Sequence, residues 1–596
     1  MPPNSISMVL STIDWTIVIA FLSLSLIIGL LNLKKAGQSA NEFFLSSRSM
    51  PWWLLGISMV ATTFSADTPN LVTDIVRKHG VSGNWVWWAF LLTGMLTVFT
   101  YAKLWRRSGV VTDLEFYELR YGGKSAAFLR GFRALYLGVF FNIVIMASVS
   151  LAAIKIGGVM MGLTPVQTLS IATIITVAYS SLGGLRSVLI TDFFQFVIAM
   201  TGSVAATIYI INQPMVGGLN NLFAHTEVVS RLSFLPDFSD SSTLVPLLIL
   251  PLAVQWWSVW YPGSEPGGGG YIAQRMLSAK DEKNALTASL VFNITHYALR
   301  PWPWILIALA SLLVFPDLTS LQNAFPHIPA DKINDDLAYP AMLTFLPAGL
   351  MGVLIASLVA AYMSTISTHL NWGSSYVVND FYRRFVKPNA PEKELVLVGR
   401  LSTVVLAVFS ALLALGLSNA LQAFNILLQI GAGTGLIFIL RWFWWRINTY
   451  TEISGMTVSF LVAIYFEVFH NRFFDPIEGH WKLLIGVGIT TACWLLATLL
   501  TQPESNSVLA RFYEKVRPSS IGWQPVVKAN PALPEEKGQL PFEVFLMVTG
   551  SFTVYGALFC IGFWLYGNLV PALVAGLVAL AGTVILIRSW GKLKFF

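Results

Sequence analysis

The sequence predicts an all-α polytopic membrane protein, and three observations carry that prediction. First, the 596 residues are 55% hydrophobic and only 11% charged, with a mean hydropathy of +0.67; a soluble domain is about 25% charged. Second, uncharged apolar runs of about 20 residues, the length that crosses a bilayer as a helix, recur along the chain. Barrel strands would instead show short alternating segments. Third, two of these runs are interrupted midway by Pro, Gly and polar residues, five spans apart. That is the spacing expected of two inverted five-helix units.

Windowed hydropathy gives roughly 15 spans. They lie near 14–33, 51–73, 83–104, 129–161, 165–182, 187–212, 243–262, 284–315, 339–378, 396–418, 420–445, 453–469, 481–501, 542–565 and 568–588. The first is followed by Lys34 and Lys35 rather than preceded by positive charge, so it reads as a retained helix with its N-terminus outside, not as a signal peptide. Basic residues then alternate with Lys- and Arg-poor loops. Arg106–Arg107, Arg186, Arg275 with Lys280, Arg383–Arg384 and Arg446 read as cytoplasmic, whereas the acidic loop 315–337 reads as external. The C-terminus falls inside. In domain terms, 1–50 is an extra helix and loop, 51–212 a first repeat and 243–446 a second, inverted one. Residues 447–501 add helices, the polar, proline-bearing stretch 502–541 reads as a cytoplasmic linker, and 542–596 forms a helix pair.

Several function classes drop out. The net charge of +7 sits in short loops that set topology and does not suggest nucleic acid. Cys493 and Cys560 both fall in spans, so no disulfide framework is indicated. No phosphate-binding Gly-Lys loop, metal-type Cys/His cluster or catalytic set is present, and an enzyme is not expected.

The second span, PWWLLGISMVATTFSADTPNL, is interrupted by Thr62, Thr63, Ser65, Asp67, Thr68 and Pro69. Proline removes a donor and breaks the carbonyl ladder, leaving carbonyls near Ala61 and Phe64 able to bind a cation. The seventh span ends in QWWSVWYPGSEPGGGGYIAQR. The ninth carries Ser364, Thr365, Ser367 and Thr368 on an otherwise apolar helix. Such groups are expensive in lipid and need a partner; a small hard cation, which prefers oxygen ligands, is one. Ser364, Ser367 and Thr368 share a helix face, while Thr365 lies about 100° round from Ser364, so two adjacent sites can share Ser364. Back-bonding of each hydroxyl to its own helix is the alternative. Asp192, in GGLRSVLITDFFQF, is a buried carboxylate that needs a counter-charge; Arg186 is the nearest basic residue but faces away from it. Asp67 is either a second such acid or an N-cap.

Three motifs, GGLRSVLITDFFQ (183–195), YIAQRMLSAKD (271–281) and YMSTIST…SSYVVNDFYRRF (362–385), together resemble the sodium:solute symporter family over about residues 14–470. The resemblance implies a leucine-transporter-like fold: two inverted five-helix repeats behind an extra N-terminal helix. It implies sodium-driven import of a small organic solute by alternating access, through a cell inner or plasma membrane. It places one sodium site on the carbonyls of Ala61, Phe64 and Ala361 with the hydroxyls of Ser364 and Thr365. It places a second, found in some members, on Asp192, Ser364, Ser367 and Thr368. For solute, the corresponding regions offer Thr68, Trp87, Trp88, Trp257, Trp260, Tyr261, Glu265, Asn293, His296, Arg300, Asn425 and Gln429, an unusually aromatic set. Arg300 suits a carboxylate, or pairs with Glu265. A sugar, a carboxylate or an amino acid all remain open. No oligomer is expected. Proton coupling, and a sodium-gated sensor without transport, are the alternatives.

Overall fold

The computed structural model describes residues 10–258, 265–326, 328, 333–417, 420–534 and 539–595. Among these, ten helices are long and apolar enough to cross a membrane, and four shorter apolar helices accompany them. The predicted all-helical class therefore holds.

We number the principal helices in chain order: α1 Thr12–Ala36, α2 Trp52–Thr63, α3 Thr68–His79, α4 Val81–Ser108, α5 Gly123–Gly158 and α6 Pro165–Ile211. There follow α7 Ser241–Ala253, α8 Gly270–Ser278, α9 Glu282–Val314, α10 Leu350–Val386, α11 Glu392–Gly416 and α12 Ala420–Phe443. The chain closes with α13 Thr449–Ile464, α14 Gly479–Leu500, α15 Asn506–Val516, α16 Leu540–Leu565 and α17 Leu569–Trp590.

Both expected breaks are present. Phe64 ends α2 by donating its amide to the carbonyls of Val60 and Ala61, and Pro69 sits in the first turn of α3, where a missing N–H costs nothing. In the second break, α7 stops at Ala253 and α8 resumes at Gly270. The two spans expected at 165–182 and 187–212 meet in α6 at Gly184, whose φ of 58° interrupts the helix.

Ion pairs close both ends of the bundle. At one end Arg77 binds Asp335 at 2.7 Å and Lys155 binds Asp336 at 2.9 Å, tying α3 and α5 to the acidic loop. At the other, Arg107 holds Glu282 at 2.9 Å and Arg130 holds Asp380 at 2.7 Å.

The stretch 502–541 differs from the expected linker. Leu509, Phe512, Tyr513 and Val516 are spaced i, i+3, i+4, i+7 along α15 and are all buried. Phe512 stacks on Trp523 with ring centroids 5.4 Å apart, and Trp523 donates its indole N–H to the carbonyl of Trp442 at 2.9 Å. Arg120 completes this cap by donating to the carbonyls of Arg441, Trp444, Trp445 and Ile447 at the end of α12. Proline and polar residues around α15 hide its single apolar face from a windowed average.

The terminal pair is also unequal. α17 is almost wholly outward-facing, whereas α16 packs on the core. Tyr555 donates its hydroxyl to the carbonyl of Trp88 at 2.8 Å and its ring lies 5.1 Å from that of Trp85. Glu543 forms a buried ion pair with Lys103 of α4. Breaking such a pair from one side leaves an uncompensated charge and costs about 3 kcal/mol or more. Glu543→Leu is therefore expected to lower the melting temperature of the purified protein, and the double substitution Glu543→Leu with Lys103→Met to recover most of the loss.

Candidate functional site

The hydroxyl face of α10 meets α2 at its broken end. Thr365 donates its hydroxyl to two carbonyls, Thr62 at 2.9 Å across the helix interface and Ala361 at 3.1 Å within α10. Ala61, Phe64, Ala361 and Ser364 are all buried around this contact. Of the residues anticipated for the first sodium site, Thr365 is thus hydrogen-bonded to Ala361, and Ala61, Phe64 and Ser364 are buried.

The neighbouring group is occupied differently from expectation. Asp192, in the second half of α6, accepts from Ser364 at 2.7 Å on one oxygen and from Ser58 on the other. Its counter-charge is Arg275 of α8, 3.6 Å away, with both side chains 0% exposed. The Arg275 guanidinium also donates to Thr368 at 2.8 Å, to Ser58 at 3.2 Å and to Thr62 at 3.4 Å. Arg186 takes no recorded part in this cluster. Arg275 itself, read from sequence as a loop charge, lies wholly inside the bundle. Ser367 turns away and donates back to the carbonyl of Ser364 at 3.1 Å, the local back-bond available to any intrahelical serine. Of the four residues anticipated for the second site, Asp192 and Ser364 touch, Thr368 binds the guanidinium, and Ser367 does neither.

Beside these groups lies a cavity of about 60 Å³, lined from α2, α4, α8 and α9 and by the break before α8. Three of the anticipated solute residues line it: Glu265, Asn293 and His296. Thr63, Phe90, Thr93, Tyr271 and Tyr297 line it too and were not anticipated. Single hydroxyls and rings on apolar helices carry no signal until their neighbours are known. His296 reaches the cavity from a π-helical turn, Thr295–Leu299, a distortion common at functional positions. The approach is close. A Cβ on Gly94 would lie 1.8 Å from Oδ1 of Asn293, and one on Gly269 would lie 1.3 Å from Oε2 of Glu265. Only glycine leaves room for either polar atom.

The remaining anticipated residues lie elsewhere. Trp87 stands behind the cavity, stacked on Tyr297 at 5.9 Å with its indole N–H on Asn84. Trp88 is fully buried toward Phe559 of α16. Trp257 packs on Trp256, and Thr68 begins α3; neither lines the cavity. Arg300 does not pair with Glu265. It donates to Thr63 at 3.1 Å and to the carbonyl of Val60 at 3.4 Å, and lies 5.2 Å over the ring of Trp304. Asp67 makes no side-chain cap on α3. Trp260 and Tyr261, and the side chains of Asn425 and Gln429, lie outside the described residues.

Glu265 also belongs to a buried charge network. Its Oε1 is 3.6 Å from Arg133 of α5, and Arg133 is 3.7 Å from Glu452 of α13. Glu452 is 3.7 Å from Arg441 of α12 and accepts from Tyr121 at 2.9 Å. Asp113 binds the first amide of α8, at Gly270, at 2.8 Å and accepts from Tyr376 at 2.5 Å.

Comparison with known proteins agrees with this architecture. The family model for the sodium:solute symporter family matches residues 43–459. A sodium/glucose cotransporter of Vibrio parahaemolyticus is 25% identical over 449 residues, covering 73% of this chain and 80% of the relative. A sodium/sialic acid symporter of Proteus mirabilis is 24% identical over 516 residues, covering 83% and 98%. A solved outward-open, substrate-bound sodium-coupled sialic acid symporter superposes with a TM-score of 0.67 at 21% identity, covering 83% of this chain and 99% of that one. The fold is accordingly the leucine-transporter-like arrangement of two inverted five-helix repeats. With the family model spanning most of the chain, the protein belongs to the sodium:solute symporter family.

Proposed function

We propose that this chain imports a small organic solute by alternating access, driven by sodium bound where the broken end of α2 meets α10. The observation that carries this reading is the Thr365 hydroxyl, 2.9 Å from the Thr62 carbonyl at the break. A cation arriving there replaces a shared proton with a stronger electrostatic link between the two helices. In this reading the ligands are the carbonyls of Ala61, Phe64 and Ala361 and the hydroxyls of Ser364 and Thr365. Occupancy favours the conformation in which α2 and α10 are apposed, and thereby the one that binds solute. The membrane potential adds about 2.3 kcal/mol per charge per 100 mV. The relatives' sodium coupling supports the choice of ion, and their cargoes support a small solute.

Asp192 is the acid of a second, conditional site. Its oxygens are engaged by Ser58, Ser364 and Arg275, so a second sodium is admitted only when Arg275 withdraws. The count is one ion at the α2–α10 contact and up to two per cycle. The placement of basic residues supports an external N-terminus and a cytoplasmic C-terminus, with the network around Arg133 at the inner end. The chain works as a monomer in this reading.

Three outcomes follow. In proteoliposomes, solute accumulation should require a sodium gradient; accumulation that ignores sodium and follows pH points to proton coupling instead. Thr365→Val should raise the sodium concentration for half-maximal uptake about tenfold, and an unchanged requirement removes the site from α2–α10. Arg275→Gln, which frees Asp192, should raise the Hill coefficient for sodium above the wild-type value. A coefficient of one in wild type, Arg275→Gln and Asp192→Ala alike eliminates the second site.

A further inference from the structure

The cavity is unbalanced in its hydrogen bonding. Most of its side-chain donors are already spent on backbone carbonyls or on one another. Thr63 donates to Val60 at 2.9 Å, Thr93 to Trp256, and Thr97 to Thr93 at 2.9 Å. Ser289 donates to Ala285 at 3.0 Å, and the Asn293 amide N–H to Ser289 at 2.8 Å. His296 is held between Thr63 at 3.0 Å and Arg300 at 3.4 Å; the guanidinium can only donate, so Nε2 accepts and Nδ1–H donates to Thr63. What remains open are acceptors. Oε2 of Glu265 and Oδ1 of Asn293 are buried and have no hydrogen-bond partner. A buried acceptor left unpaired is costly, more so when charged, so an occupant that supplies donors is strongly favoured.

The charge has the same sign. Glu265 is the one ionisable carboxylate lining the cavity among the described residues, and no Lys or Arg lines it. Arg133, behind Glu265, stands at 3.6 Å, beyond hydrogen-bond length, and divides its charge with Glu452. The walls are partly aromatic, with Phe90, Phe292 and Tyr297 lining the same cavity as Glu265, and ring faces attract cations. A carboxylate solute would meet an acid and mostly spent hydroxyls. A neutral polyol would satisfy Asn293 but leave the acid without a matched counter-charge.

We propose that the transported solute carries a positively charged nitrogen that docks on Glu265, with Asn293 as its second acceptor. This rests on reading the cavity as the solute site of a sodium-coupled carrier. One consequence is mechanical. An arriving cation competes with Arg133 for Glu265 and releases Arg133 toward Glu452, so occupancy loosens the link between the α8 break and α5.

The test uses the full chain in lipid nanodiscs, with thermal shift measured in sodium chloride and in potassium chloride. The probes are ethanolamine, choline and putrescine as cationic nitrogens, glucose and mannitol as neutral polyols, and lactate and N-acetylneuraminate as carboxylates. At least one amine should stabilise the wild type more in sodium than in potassium. Glu265→Gln should weaken that amine about tenfold or more, as expected for loss of a charged hydrogen bond. Glu265→Asp, which keeps the charge, should retain a weakened response and guards against misreading a misfolded Gln variant. No sodium-dependent shift from any amine overturns the proposal, as does an amine response undiminished in Glu265→Gln. A sodium-dependent shift from a polyol or carboxylate alone overturns the amine assignment while leaving sodium coupling intact. An amine shift of equal size in sodium and in potassium overturns the coupling instead.

Discussion

Inside a bundle that faces lipid, a polar atom has no water to fall back on, and each one must find its partner in another helix. That constraint organises the centre of this molecule. Asp192 of α6 gathers Ser58 of α2, Ser364 of α10 and Arg275 of α8. Thr365 of α10 reaches Thr62 of α2. Four helices from the two repeats are therefore tied through side chains that cannot be exposed without cost. The helix breaks serve the same end, because they supply backbone carbonyls at a depth where an unbroken helix would have hidden them. In the proposed reading, a sodium ion in this position is one more partner for these oxygens.

The cavity sits between ion pairs at both ends of the bundle. Toward the acidic loop, Arg77–Asp335 and Lys155–Asp336 are close pairs of 2.7 and 2.9 Å. At the other end Arg107–Glu282 and Arg130–Asp380 are equally close, while the Arg133, Arg441, Glu265 and Glu452 pairs stand at 3.6 to 3.7 Å, and their guanidiniums share charge among several oxygens and aromatic faces. These longer pairs can exchange partners at lower cost than the close ones. Glu265 is common to this network and to the cavity.

Beyond the two repeats, α15 and α16 are structural members of the fold. Phe512 of the first, with Trp523 beyond it, packs against the end of α12. The second carries Glu543 to Lys103 and Tyr555 to the Trp88 carbonyl on α4. Since α4 also contributes Phe90, Thr93 and Thr97 to the cavity, support from the C-terminal part of the chain bears directly on the wall of the site.

The sequence by itself determined the helical class, the order of the main apolar segments, the two mid-membrane breaks and the two faces of the hydroxyl run. Each of these is written locally, in apolar length, in proline and glycine, and in helical phase. The carboxylate of Asp192 was visible as an anomaly for the same reason. Its counter-charge was not. Arg275 lies 83 positions away and its neighbour Lys280 made it look like a loop charge; only the packing of α8 between α2 and α10 buries it. Ser367 shows the converse, a residue with the right phase whose hydroxyl is taken by its own helix. Tertiary structure alone decided which hydroxyls are spent and which acceptors stay open, because a hydrogen bond between helices depends on distances that no periodicity records.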